Sequence, residues 1–207
     1  MILGSHNTMT YRNPKKWYLW PIKWMAQCQS VDYKTQHEKY GVNAFDFRLF
    51  WDKNNNIEFR HGGFAYPAND FEDILKYCED NNIIVKILFE ERLFPKSLAK
   101  QSKKMNLKQK FIDTCKWIEK TYPNLKCWCG RNCGTWELVY KFNYEPKDTG
   151  YYSSVTTLFK SENKILKIID DWCPIIYALI NNKKHFKELK FDNNEDEIIS
   201  LDFVNIK

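Results

Sequence analysis

What this 207-residue chain lacks narrows its class before any motif is read. No apolar run approaches the roughly 20 residues that a helical membrane span requires, so no transmembrane segment is expected. The first residues, MILGSHNTM, carry neither the basic segment nor the long apolar core of a signal peptide. The expectation is a cytoplasmic or released soluble protein. There is no dense basic arm: the net charge is +6, but lysine is spread over the whole length. That spread suits solvated surface better than a nucleic-acid interface, and no nucleic-acid partner is expected. Histidine occurs only four times, which makes each one informative. Internal repeats and low-complexity tracts are absent. The seven cysteines are odd in number and mostly isolated, which argues against a disulfide framework and for a reducing compartment. Cys127, Cys129 and Cys133 stand close together, but no fourth Cys or His follows nearby. They read as packed thiols rather than a structural zinc site.

What is present is enough apolar material for a substantial core: 43% hydrophobic and 16% aromatic residues. The length suits one domain over residues 1–207. Residues 1–3 read as a short apolar strand ending in the polar loop Gly4-Ser5-His6-Asn7-Thr8. A helix is predicted over 31–40, closed by Gly41. Strands follow at 44–51 and 57–61, then a loop over Phe64-Ala65-Tyr66-Pro67, a helix to about residue 80 and a strand over 83–89. A helix is expected over 107–122, strands or one strand plus a turn over 125–133 and 136–142, a helix pair around Pro174 over 165–179, a short basic helix over 183–189, and a last strand over 197–206. Trp17, Trp20 and Trp24 fall at i, i+3 and i+7, and are expected to pack a helix and loop on the core; the sharper alternative is an aromatic rim that touches lipid or sugar. This alternation of strand and helix predicts an α/β fold, a compact and irregular (β/α)8 TIM-type barrel near the lower size limit, with site loops at the strand C-termini.

The stretch from Gly41 to Gly63 organises the rest. Side chains alternate faces along a strand, so Asp46 and Arg48 project together from one face while Phe45, Phe47 and Leu49 take the other. His61 stands at the tip of the next strand, before Gly62-Gly63. Other polar groups at predicted strand ends are His6, Asn7, Glu90 and Asp202. An Asp inside a terminal core strand is costly without a partner, and Asp202 reaches His6 if the first and last strands are neighbours. Two histidines and an arginine suit phosphodiester cleavage. One neutral imidazole takes the proton of the attacking hydroxyl, and one protonated imidazole gives a proton to the leaving oxygen. A guanidinium clamps the phosphate, and carboxylates orient the imidazoles.

GSHNTMTY, then GVNAFDFR about 35 residues later, then RHGG, resemble the phosphatidylinositol-specific phospholipase C X-domain superfamily, in the pattern of its small bacterial-type members. The resemblance implies a barrel of phospholipase C-like phosphodiesterases. It makes His6 the general base, His61 the general acid and Arg48 the phosphate clamp, with Asp46 supporting the acid or the clamp and Asp202 orienting His6. Asn7, Lys86 and Glu90 are the candidate substrate-binding residues. The implied chemistry is attack by a neighbouring hydroxyl of the substrate, giving a cyclic phosphodiester and a released alcohol. The implied partner is a phosphodiester, including a membrane lipid. One departure concerns Asn7, where bacterial-type members carry Asp and calcium-dependent ones carry Asn. Asn7, Asp46 and Glu90 could then supply oxygen ligands to Ca2+, but the charge of Arg48 opposes this, and a site without metal or cofactor is expected. The rival readings are a metal-dependent glycerophosphodiester phosphodiesterase, whose expected His-Arg and Glu-x-Asp patterns are missing, and a catalytically silent lipid- or protein-binding barrel.

Overall fold

The computed structural model describes residues 1–89, 106–129, 140–144, 146, 175, 176, 178, 179, 182, 186 and 198–206. Glu90 and Cys133 lie outside these residues. The helices expected over 165–179 and 183–189 and the strand expected over 136–142 reach them only in part; residues 140–142 are not in a strand. The elements that position the site come mainly from the first 89 residues. They are β1 (Ile2–Ser5), α1 (Tyr33–Tyr40), β2 (Ala44–Trp51), β3 (Ile57–His61), β4 (Phe64–Pro67), α2 (Phe71–Asp80) and β5 (Ile84–Phe89). Further on come α3 (Leu107–Thr121), β6 (Cys127–Trp128) and β7 (Ile198–Leu201).

These strands form one curled, mixed sheet. β7, β1, β2, β5 and β6 run parallel in that spatial order, while β3 is antiparallel to the far half of β2 and β4 is antiparallel to β3. Among the described residues the sheet stays open between β6 and β7. The architecture is therefore mixed α/β and curled, and only partly like the barrel that the alternation predicts. The first and last strands do pair: Ile2 to Ser5 match Ile198 to Leu201 residue by residue.

The two faces of the sheet differ in chemistry. Leu3, Phe45, Phe47, Leu49, Val85, Ile87, Phe89, Ile199 and Leu201 join one large core with Ile74 and Leu75 of α2 and Phe111 and Ile118 of α3. Each such buried side chain contributes about 1.5–3 kcal/mol. That sum offsets the charged groups on the other face. The other face begins with a small apolar cluster, Ile2, Ala44, Ile84 and Trp128. It then turns polar towards the strand C-termini, through Asp46, Lys86 and Ser200 to His6, Arg48 and Asp202. β1 comes so close to β7 that a Cβ on Gly4 would lie 2.7 Å from Ser200 Oγ and 3.2 Å from Ile198 Cγ2.

Local rules explain most boundaries. Asp32 caps α1 through the backbone N–H groups of Lys34 and Thr35, and Gly41 ends it at φ 71°. α2 buries Phe71, Ile74, Leu75 and Cys78, spaced for one helical face.

Four expectations are corrected. Residues 64–67 are a strand, not a loop: β4 pairs with β3 from His61↔Phe64 to Glu58↔Pro67 and buries Tyr66. Proline fits there because it closes the strand at its end. The last strand stops at Leu201, because Phe203 takes a left-handed conformation (φ 48°), so Asp202 follows the strand rather than occupying its middle. The strand expected over 125–133 is only Cys127–Trp128 in the described part. Residues 17–25 form 3-10 turns rather than an α-helix packed on the core, and Trp17, Trp20 and Trp24 are 76%, 51% and 44% exposed. The 3-10 twist and Pro21 break the 3.6-residue period on which the stripe depended.

Candidate active site

The site forms where one edge of β2 changes partner. On that edge β1 pairs with Ala44 and Phe45, and β3 pairs with Leu49 to Trp51. β1 and β3 approach from opposite ends and neither pairs with the interval between. The residue after β1 is His6 and the last residue of β3 is His61, so the two imidazoles meet beside that interval. Their ring centroids are 6.1 Å apart and nearly perpendicular. The interval itself carries Asp46 and Arg48. The backbone N–H of Asp46 donates instead to Thr8 Oγ1 (2.9 Å), which satisfies a group the strand partners leave over.

His6 is held on both ring nitrogens. Nδ1 lies 2.7 Å from Asp202 Oδ1, and Nε2 lies 2.6 Å from Arg48 Nη2 and 3.2 Å from Asn7 Nδ2. A guanidinium can only donate. Nε2 is therefore the accepting nitrogen, and Nδ1–H donates to the carboxylate. This tautomer leaves the lone pair on the Nε2 edge, as a general base requires. The His6 backbone N–H donates to Leu201 O (3.0 Å), which fixes the ring relative to β7.

Asp46 is buried, and its Oδ2 accepts from the Asn7 backbone N–H (3.3 Å) and lies 3.5 Å from Arg48 Nη2. Lys86, also buried, occupies the matching position on β5. Burial raises the Asp46 pKa, but the charges of Lys86 and Arg48, joined by His6 when it is protonated, outweigh it, so the net shift is downward and Asp46 is an anion. Its Oδ1 has no hydrogen-bond partner among the described residues. Lys86 Nζ also lies 5.2 Å over the Trp128 ring. Asn7 adopts φ 45°, ψ 55°, a conformation that Asn tolerates better than most residues. This turn lets its N–H reach Asp46 and its amide reach His6.

His61 Nδ1 donates to Ala26 O (2.8 Å). Burial, then the charge of Arg48 and that of His6 when it is protonated, pull its pKa down from 6.5 to about 4. The ring is neutral at pH 7 in this arrangement, and Nε2 is the nitrogen left to gain or give a proton.

Of the expected site residues, the fold brings together His6, Asn7, Asp46, Arg48, His61 and Asp202, with Lys86 on the same face behind Asp46. Glu90 follows Phe89 but lies outside the described residues. For the calcium alternative, Asp46 is poorly placed, because it sits between two cations, Arg48 and Lys86.

Several residues went unread in the sequence. Cys28 Sγ lies 3.8 Å from His61 Nδ1 and is fully enclosed. Gln29 Nε2 donates to His6 O (3.1 Å) and Leu201 O (2.7 Å), and its Oε1 accepts from Val204 N (3.2 Å). Thr10 Oγ1 accepts from the N–H groups of Cys28 and Gln29 (2.9 and 3.0 Å). The one available signal was the histidine-bearing loop itself, which needs such anchors. A groove of about 530 Å3 lined by Lys15, Asn56, Pro67, Phe71 and Trp117 shares none of these residues and carries no histidine or thiol.

No protein-family model and no curated protein matches the chain. Among solved structures, a double mutant of the phosphatidylinositol-specific phospholipase C from Staphylococcus aureus is 27% identical over 44% of this chain and 32% of that one, with a TM-score of 0.33. This match thus spans about a third of the phospholipase chain. A pentafluoro-Phe form of the same enzyme is 15% identical over 97% of this chain and 70% of that one, with a TM-score of 0.46. A third, from work on the modulation of its membrane binding, is 15% identical over 97% and 72%, with a TM-score of 0.44.

Proposed function

We propose that residues 1–207 form one barrel-like domain of phospholipase C type. It cleaves a phosphodiester by using a hydroxyl of the substrate next to the phosphate. The observation that carries this reading is the state of His6: Nδ1–H is tied to Asp202 at 2.7 Å and the accepting Nε2 faces Arg48 at 2.6 Å, beside a second imidazole. His6 Nε2 takes the hydroxyl proton, and Asp202 stabilises the imidazolium that results. The alkoxide oxygen forms a bond to phosphorus as the bond to the leaving alcohol breaks. Protonated His61 gives its Nε2 proton to that alcohol. Arg48 moves from the imidazole to the phosphate oxygens and meets the charge that grows there. The products are a cyclic phosphodiester and an alcohol, and proton exchange with water restores both rings.

His61 must be charged for this step, although its pKa lies near 4. A phosphodiester anion beside Arg48 cancels one of the charges that lowers it, so substrate itself promotes the acid form. The reading is metal-free: Arg48 and Lys86 already supply positive charge around Asp46, and Asn7 acts through hydrogen bonds. A lipid headgroup suits the exposed aromatic segment 17–25, which leads directly to Ala26 and Cys28 at the His61 contact.

The test is hydrolysis of a chromogenic inositol phosphodiester and a generic aryl phosphodiester, with EDTA or with calcium, by the native chain and by His61→Ala. Activity that survives EDTA, prefers the inositol ester and disappears in the variant is expected. A calcium requirement would reassign Asn7, Asp46 and Glu90 as ligands. Turnover of neither ester under any condition would overturn the phosphodiesterase reading.

A further inference from the structure

Cys28 has no part in the proposed reaction, yet its thiol lies among the reacting groups. The imidazole of His6, the Cys28 thiol and the Asp202 carboxylate offer ligand atoms that all lie within 4.8 Å of one another. His61 stands beside this group as a candidate fourth ligand: its Nδ1 is 3.8 Å from Cys28 Sγ, and it must release Ala26 O (2.8 Å) to join. Two imidazoles, a thiolate and a carboxylate are a donor set for a soft or borderline dication, unlike the oxygen set that calcium needs. With zinc bonds of about 2.3 Å to sulfur and 2.0–2.1 Å to nitrogen, tetrahedral geometry separates those two ligands by about 3.6 Å. The Cys28–His61 distance is already close to that. His6 Nδ1 and Asp202 Oδ1, hydrogen-bonded at 2.7 Å, would part by roughly 0.7 Å as a metal replaced the shared proton.

We propose that Cys28, His6, Asp202 and His61 form a binding site for Zn2+ or a similar soft dication, and that occupancy shuts off the candidate active site. Anchoring supports it. The backbone of Cys28 is fixed at both polar ends, its N–H by Thr10 Oγ1 (2.9 Å) and its carbonyl by Phe203 N (2.6 Å). Cys28 and His6 thus both lie on anchored backbone, His6 through its N–H to Leu201 O (3.0 Å) just after β1. The charges balance as well. A thiolate and a carboxylate neutralise the ion, and the Arg48 contact is on the opposite, Nε2 edge of the His6 ring. Binding is an exchange: the Cys28 thiol proton is released to solvent, the hydrogen bonds from His6 Nδ1 to Asp202 and from His61 Nδ1 to Ala26 O are given up for bonds to the metal, and each neutral imidazole keeps its one proton on Nε2. A neutral His6 that ligates through Nδ1 carries its remaining proton on Nε2. The nitrogen that must accept the substrate's proton is then filled. Arg48, now facing an N–H, has Asp46 Oδ2 at 3.5 Å as its alternative partner.

The site is tested without substrate, so its failure is separate from that of the phosphodiesterase reading. The full chain, kept reduced by a non-thiol reductant, is dialysed against Zn2+ and titrated optically with Co2+. One ion per chain and a thiolate-to-cobalt absorption band are expected, unchanged in Cys129→Ala and lost in both Cys28→Ala and Cys28→Ser. Asp202→Asn should bind at least tenfold more weakly. The serine variant keeps the test open if alanine there does not fold. Native chain that takes up no stoichiometric metal overturns the proposal. So does a band that persists in Cys28→Ser and disappears in Cys129→Ala, which would place the thiol ligands around Cys127 and Cys129. Where hydrolysis is measurable, Zn2+ should inhibit it and EDTA should restore it.

Discussion

At the scale of single residues, the site depends on which imidazole nitrogen holds a proton. Asp202 fixes that for His6. In Asp202→Asn the amide either accepts weakly from Nδ1–H or donates to Nδ1 and moves the proton to Nε2, where it blocks proton transfer. A fall in kcat of roughly a hundredfold or more is expected, within the range for a general base, with KM changed far less. A fall confined to KM would show that Asp202 only shapes the binding surface. The lowered pKa of His61 ties the stability of the fold to pH. The unfolded chain binds a proton at about 6.5 and the folded chain only at about 4. Folding is therefore favoured above 6.5, and that contribution is lost progressively as pH falls from 6.5 to 4, by up to roughly 3 kcal/mol. Native protein should lose thermal stability across that window more steeply than His61→Gln. The acid limb of kcat/KM should break near pH 4 in the native chain, and that break should be missing from the residual activity of His61→Ala.

At the scale of elements, the decisive feature is the shared edge of β2, and it rests on how tightly β1 lies against β7. A side chain at position 4 would strike Ser200 Oγ first and Ile198 next. Gly4→Ala should cost about 1–3 kcal/mol in denaturant unfolding, the usual range for overpacking. Adding Ser200→Gly should return most of it, because the nearest obstructing atom is gone; no recovery would mean that the strain lies in the backbone. This level of the fold was partly legible in the sequence. The period of two in residues 44–49 separated Asp46 and Arg48 from the aromatics, because one face of β2 meets the helices and the other does not. The His6–Asp202 pair followed from supposing that first and last strands adjoin. What could not be read were contacts between a side chain and distant backbone. Gln29 joins Leu201 and Val204 across more than 170 positions, and nothing local marks it. Cys28 looked like any packed thiol because its neighbours are contributed by β1, β3 and the turn after β7. The end of β7 was missed for a different reason: an apolar alternation continues through Phe203, but the backbone turns there.

At the scale of the molecule, the charge and the exposed aromatics point the same way. Trp17, Tyr18, Trp20, Ile22 and Trp24 are all exposed, with Lys16 just before them and Lys23 among them. Large apolar side chains rarely cluster on a free surface without a partner. Tryptophan and tyrosine suit the boundary between headgroups and acyl chains, and lysines beside them add attraction to anionic lipid. Trp20 is tethered by its ring N–H to Pro14 O (2.8 Å), so the segment presents its rings from an ordered turn. It contributes no side chain to the hydrogen bonds around His6 and His61. Binding and chemistry should therefore separate. Trp17→Ala combined with Trp24→Ala should weaken sedimentation with phosphatidylserine-containing vesicles by tenfold or more, and leave hydrolysis of a soluble aryl phosphodiester within twofold of native. Raising the salt should weaken vesicle binding by the native chain as well, since the lysine contribution is screened. Equal losses on vesicles and on the soluble ester would show instead that the aromatic turn holds Ala26 against His61, and that its exposure serves the site rather than a surface.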